Sequence, residues 1–227
     1  MHKTLLSFTL LFSSLLSASD FRQMKKIRFV DQNKINAPTG MAVSPEGVVY
    51  VASDPNGARS GLKGIGKVFR CEDTTGDGQA DKVSTYMDKV DSPRGLCYAG
   101  NTLYVMHPPF LSAVKDIDGD GIVDEQKVLL KNLGRGLVTK RVDHAQNGVR
   151  LAIDGWLYLA IGDQGCFNTT GTDGSQASLH GGGVLRVLPD GSKLEIVCTN
   201  VRNIYNVAVD PYLDIFTRDN TNDGGGW

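Results

Sequence analysis

Four stretches of this chain are built on one plan, and their regular spacing restricts the fold more than any other feature. GMAVSPEGVVYVAS from Gly40, GLCYAGNTLYVMH from Gly95, GVRLAIDGWLYLAIGD from Gly148 and YNVAVDPYLDIFTRD from Tyr205 each read as a short apolar strand, a Gly, Asp or Pro turn, and a second strand carrying an aromatic residue. Those aromatics, Tyr50, Tyr104, Tyr158 and Phe216, follow one another at 54, 54 and 58 residues. A recurrence of this size predicts a repeated β unit. In the first three units a second hairpin follows, in GKVFRCEDTTGDGQADKVSTYM, SAVKDIDGDGIVDEQKVLL and GGVLRVLPDGSKLEIVCT, where β-branched and polar residues alternate around Asp/Gly turns. Two hairpins make a four-stranded blade. The expected fold is therefore all-β: a β-propeller of the six-bladed type, of which this chain supplies about four blades. A β-sandwich leaves the recurrence unexplained.

The first residues read as an export signal, with His2 and Lys3 as a short basic region, Leu5 to Leu16 as an apolar core and Ser17-Ala18-Ser19 as a small-residue exit. The expected organisation is a signal peptide over 1–19 and a partial propeller over 20–227, truncated at its C-terminal end and inactive in this form. Export implies a periplasmic or cell-surface location. The apolar core is too short for a membrane span. A formal charge of −1 with both signs interspersed excludes an electrostatic footprint for nucleic acid. Cys71, Cys97, Cys166 and Cys198 fit no zinc spacing, and disulfides and buried thiols remain equal readings.

Two loops carry oxygen ligands at calcium-loop spacing: Asp73-x-Thr75-x-Asp77-Gly78-x-x-Asp81 and Asp116-x-Asp118-x-Asp120-Gly121-x-x-Asp124. Both lack the closing Glu, with Ser84 and Lys127 in its place, so hairpin turns are the favoured reading and weak calcium binding the other. The candidate site lies instead at the hairpin ends. His144 precedes the first strand of its unit and Asp163 follows the second, so both reach one rim. By the same logic Arg202 and Asn203 lie beside Arg218, Asp219 and Asn220, Arg94 near His107, and Thr39 near Ser53 and Asp54. Equivalent rims of a propeller converge on one mouth of its channel. There a histidine accepts a proton, a carboxylate fixes its tautomer, and Arg202 neutralises developing negative charge. Gly181-Gly182-Gly183 brings backbone close to a ligand or to a crowded loop.

The order of these motifs resembles a known family. His144, the Gly-x-Arg-Leu strand, a Tyr strand, Gly-Asp-Gln-Gly, His-Gly-Gly with Leu-Arg-Val, Pro-Asp-Gly and then Arg-Asn is similar to the soluble pyrroloquinoline quinone (PQQ)-dependent glucose and aldose dehydrogenases. More closely it resembles the N-terminal propeller of the large exported membrane-bound-dehydrogenase and haem-binding proteins of planctomycete-type bacteria. The resemblance implies oxidation of a sugar or other alcohol with hydride passing to PQQ, His144 as the base, Asp163 as its orienting partner and Gln164 nearby. It also implies cofactor contacts from Arg202 and Asn203, a calcium ion near Asn220 and Thr221, and a downstream electron acceptor such as a c-type haem domain outside this chain. A calcium-dependent lactonase-like hydrolase and a noncatalytic binding propeller are the competing readings. Three departures stand out. Ile204 replaces the usual Pro, Arg218-Asp219-Asn220 replaces Glu-His-Gly, and three residues rather than two separate His144 from Gly148.

Overall fold

The computed structural model describes residues 26–57, 61–134 and 144–220, and among them every regular element is a strand. The leader and Thr221 lie outside the described residues. The first unit is an antiparallel sheet of β1 (Pro38–Val43), β2 (Val49–Ser53), β3 (Gly66–Glu72) and β4 (Lys82–Val90) in that order. The second repeats it with β5 (Gly95–Ala99), β6 (Thr102–His107), β7 (Phe110–Lys115) and β8 (Glu125–Leu130). In the third, β9 (Gln146–Leu151) and β10 (Leu157–Ile161) are followed by an inserted hairpin, β11 (Cys166–Thr170) and β12 (Gln176–Leu179). The sheet then resumes with β13 (Gly182–Val187) and β14 (Glu195–Val201), and a fourth unit begins with the pair β15 (Val207–Val209) and β16 (Ile215–Thr217).

The leading strands β1, β5, β9 and β15 lie side by side, so the sheets stand radially about an axis as blades do. Their close approach has a local cause. A Cβ on Gly40 would collide with the Arg94 carbonyl, one on Gly95 with the Asn147 carbonyl, and one on Gly148 with the Asn206 side chain. Glycine at the same place in three units lets neighbouring backbones touch.

Burial follows position in the blade. The second strands of units two and three, β6 and β10, are buried along their whole length because other sheets cover both faces. They read accordingly as apolar runs, while the outermost strand β14 is mostly exposed. Tyr50, Tyr104 and Tyr158 are buried, as the repeat implies, whereas Phe216 is exposed. The largest apolar cluster joins units two and three through Leu129, Leu130, Leu133, Leu157, Leu159 and Leu185, and the inserted hairpin adds Cys166, Ala177 and Leu179. The repeat pattern did not announce that hairpin. It runs back along the seam between units two and three, bridging Lys131 to Thr170 and bonding Thr172 to the carbonyl of Gly191.

All four cysteines are free thiols, with Cys71, Cys97 and Cys166 buried. The buried-thiol reading describes Cys71, Cys97 and Cys166, while Cys198 is half-buried. Burial pushes the Cys71 thiol up to about 11, which keeps it protonated and unreactive.

Candidate functional site

Because the leading strands run in parallel, their first residues and the last residues of the strands paired to them gather at one end of the axis. In the third unit the β9–β10 ladder shifts register between Leu159 and Ile161, so that Ile161 stands opposite Gln146. The first unit has the same one-residue bulge between Pro38 and Gly40, so it belongs to the rim of the repeat. Gly162 donates to the Ala145 carbonyl and Gln164 to the His144 carbonyl, which closes the rim into a fixed turn.

In that turn His144 Nδ1 lies 2.5 Å from Asp163 Oδ1. Nδ1–H donating to the carboxylate leaves Nε2 with its lone pair, the form in which an imidazole accepts a proton. Arg202 Nε lies 3.7 Å from the other carboxylate oxygen, Asp163 Oδ2. Asp163 therefore joins an imidazole of its own unit to a guanidinium of the next. The histidine and aspartate side chains are 30% and 28% exposed and Arg202 is 12% exposed, so the chain of groups opens to solvent at its histidine end.

Arg202 is itself held. Its backbone N–H donates to both oxygens of Asp219, at 3.0 and 2.8 Å, and Asn220 N–H donates to the same carboxylate. The adjoining Ile204 is fully buried and its carbonyl accepts from Asn147. Gly182 lacks a Cβ because one there would strike the Arg202 carbonyl. Of the two readings of the glycine run, backbone packing accounts for Gly182. The Asn203 side-chain oxygen lies against Gly162, between the strand ends that carry Asp163 and Arg202.

Of the other expected pairings, Thr39 lies in the β1–β2 bulge opposite Ser53, with Asp54 N–H donating to the Ala37 carbonyl, as expected, while the Arg94 side chain turns elsewhere. Arg94 and His107 share a rim, with Arg94 N–H donating to Met106 next to the histidine, but the Arg94 guanidinium turns toward the first unit. It lies 3.5 Å from Asp54 Oδ2 and donates to the Gly57 carbonyl. His107 bonds Ser112 Oγ at 2.8 Å, and burial pushes its imidazole down to about 4, so it is neutral at physiological pH. Thr39 donates to the Pro93 carbonyl, and the Tyr205 hydroxyl crosses from the fourth unit to the Thr39 carbonyl. That crossing was not foreseen from the sequence. The Asp54–Arg94 pair had a signal in the repeat: Asp54 and Asp163, like Arg94 and Arg202, stand about two repeat periods apart.

The aspartate-rich loops are the β3–β4 and β7–β8 turns, at the end of the sheets opposite the mouth. Their carboxylates are spent locally: Asp73 accepts from Gly76 and Gly78, and Asp116 from Gly119 and Gly121. Carboxylate oxygens of Asp116, Asp118 and Asp120 also lie within 4.8 Å of one another. This is turn chemistry as expected, with the spacing of a cation loop retained in the second.

Radial four-stranded sheets around an axis, with polar strand ends at one mouth, define a β-propeller. Within that class, the chain belongs to the family described as Domain of unknown function (DUF7133), whose model matches residues 22–225. No curated protein matches. Among solved structures, the PQQ-bound aldose sugar dehydrogenase of Streptomyces coelicolor is 18% identical, with TM-score 0.56 over 81% of this chain and 56% of that one. The gluconolactonase XC5397 of Xanthomonas campestris is 19% identical, with TM-score 0.52 over 82% and 55%. The holo PQQ domain of Coprinopsis cinerea pyranose dehydrogenase is 11% identical, with TM-score 0.55 over 82% and 44%. At these identities the likeness establishes the fold, and the chain spans about half the length of the structures it matches. Among the described residues no helix is long and apolar enough to cross a membrane.

Proposed function

We propose that this chain is the greater part of an exported propeller that oxidises a sugar or other alcohol with PQQ, within a longer protein of the planctomycete-type dehydrogenase group. The observation that carries the reading is the His144–Asp163–Arg202 chain at the channel mouth. His144 Nε2 takes the hydroxyl proton of the substrate as the C–H bond gives up hydride. Asp163 holds the tautomer and balances the imidazolium that results. Arg202 holds Asp163 turned toward the histidine and adds positive charge beside the developing alkoxide. PQQ, when bound, supplies the hydride acceptor. Its carboxylates and quinone oxygens call for donors, and Arg202, Asn203 and Gln164 are donors at this rim. Calcium near Asn220 and Thr221 completes the proposed cofactor set, with a c-type haem domain as the electron acceptor beyond this chain.

The test is dye-linked oxidation of D-glucose and simple alcohols by the full-length protein reconstituted with PQQ and calcium. Turnover is expected only with PQQ, and His144→Ala is expected to lower kcat by at least about 100-fold. Turnover unaffected by His144→Ala, or gluconolactone hydrolysis with calcium alone and no oxidation, overturns the redox reading. The second outcome would assign His144 to activation of water.

A further inference from the structure

The end of the sheets opposite the mouth holds a cavity that the proposed oxidation does not use. It lies between units one and two, has a volume of about 340 Å³, and is lined by the rings of Tyr50, Tyr86 and Tyr98 and the carboxylates of Glu46, Asp116 and Asp118. The repeat explains why the space is there. Ser44 N–H donates to the Val48 carbonyl and Gly47 N–H to the Ser44 carbonyl, and in the third unit Ala152 N–H donates to the Trp156 carbonyl and Gly155 N–H to the Ala152 carbonyl. Val48 and Trp156 therefore hold the same place in the same turn. So do Arg70 and Arg186, which stand across the ladder from Tyr50 and Tyr158. In the third unit the Trp156 ring covers Arg186, with the guanidinium carbon 4.4 Å from the ring centre. A valine at that place leaves the equivalent space of the first unit open.

The lining fixes the chemistry. Tyr50 and Tyr98 stack with ring centres 5.4 Å apart and planes 11° from parallel, Tyr86 meets Tyr50 edge-on at 4.8 Å, and Tyr98 is the half-buried ring of the three. Burial raises the three hydroxyls above their ordinary range and the Asp116 charge adds to it, so the rings stay neutral. Arg70 also lines the cavity, but its guanidinium is ion-paired with Glu72. Glu46, Asp116 and Asp118 then leave the cavity with an excess of negative charge. Asp116 and Asp118 accept from N–H groups of their own turn, yet a carboxylate has about four acceptor sites and these bonds leave some open. We propose that this cavity binds a small organic cation carrying a guanidinium group, at a site separate from the His144 mouth and independent of the redox reading. A flat cation stacks on a neutral tyrosine and forks onto a carboxylate at the same time. An anion would meet three carboxylates, and a quaternary ammonium would bring them no donor. The volume falls in the range of about 300 to 1,000 Å³ that takes a whole small molecule.

Binding is measured by calorimetry and ligand-observed NMR on the full-length protein with two probes of one shape, agmatine and N-carbamoylputrescine, which carry a guanidinium or a neutral urea on the same aminobutyl chain. Agmatine is expected to bind at least about tenfold more tightly. Val48→Trp, which gives the first unit the ring that the third already has, is expected to weaken agmatine at least about tenfold. Asp118→Asn, at an exposed position, is expected to weaken it about threefold. Should Val48→Trp fail to fold, Tyr98→Leu takes its place with the same expectation. Equal affinity for the two probes, no agmatine binding by the wild type, or agmatine affinity unchanged in either variant overturns the proposal. Agmatine binding that is lost in His144→Ala overturns it likewise, because the ligand then sits at the mouth. Guanidinium binding that depends on Val48 and Asp118 sustains the site whether or not PQQ-dependent oxidation is found.

Discussion

The seam between units one and two and the seam between units two and three solve the same mechanical problem by different chemistry. The first is pinned at its rim by a buried aspartate–arginine pair and the Thr39 to Pro93 bond. The second has no such pair among the described residues. It is filled by the β11–β12 hairpin, whose Leu179, Ala177 and Cys166 pack with Leu129, Leu130 and Leu133 while Thr169 donates to the Asn132 carbonyl. Apolar packing relieves the rim histidines of this second seam of a locking role. His144 is left free to pair with Asp163 and face solvent, and this is where the candidate chemistry sits. Ionic locking instead commits the rim groups of the first seam to each other and closes them off from solvent.

Arg94→Ala should be the most damaging test of this contrast. It leaves Asp54 as an uncompensated buried charge, and chemical denaturation should show a loss of about 3 to 5 kcal/mol. The double change Asp54→Leu/Arg94→Met should recover most of that loss. If it does not, the ionic pair is more than a replaceable lock. On the apolar side, Leu179→Ala should cost about 3 kcal/mol through cavity formation beneath the hairpin, read in the same denaturation series.

Acid should act through the second unit. The His107 imidazole is held down to about 4 by burial, against 6.5 when exposed. The unfolded chain therefore binds a proton that the folded chain refuses. The contribution is whole above about pH 6.5 and is lost as pH falls through that value toward 4, reaching about 3 kcal/mol. A His107→Gln variant should have a flatter pH-stability curve over this window. The smallest effect belongs to the opposite end of the sheets, where Asp120→Asn should leave Tm within about 2 °C in calcium-free buffer.

The architecture was legible because a propeller writes its period into the chain: Tyr50, Tyr104 and Tyr158 mark equivalent places in successive sheets. The meeting of His144 with Asp163 was legible for a related reason, since a hairpin returns its ends to one edge whatever its interior holds. Contacts across seams were harder to read. Arg94 was expected beside His107, its neighbour within the unit, but a long side chain at a strand end can turn to either neighbouring sheet. The buried charge of Asp54 settles the direction. The β11–β12 hairpin escaped notice because its strands are short and polar, as in CFNTT, and their apolar members acquire meaning only against Leu129 and Leu133 of another unit. The aspartate loops were legible too: hairpin turns were the favoured reading of their spacing, and their carboxylates serve the backbone N–H groups of their own turns.

The glycines of the leading strands carry a consequence for how such a mouth diversifies. Since Gly40, Gly95 and Gly148 set adjacent strands backbone against backbone, the bore of the channel is fixed by main-chain dimensions. Rim side chains can then be exchanged at Asp54, His107 or Asp163 without altering the calibre of the opening. The scaffold separates the gauge of the pore from the chemistry displayed around it.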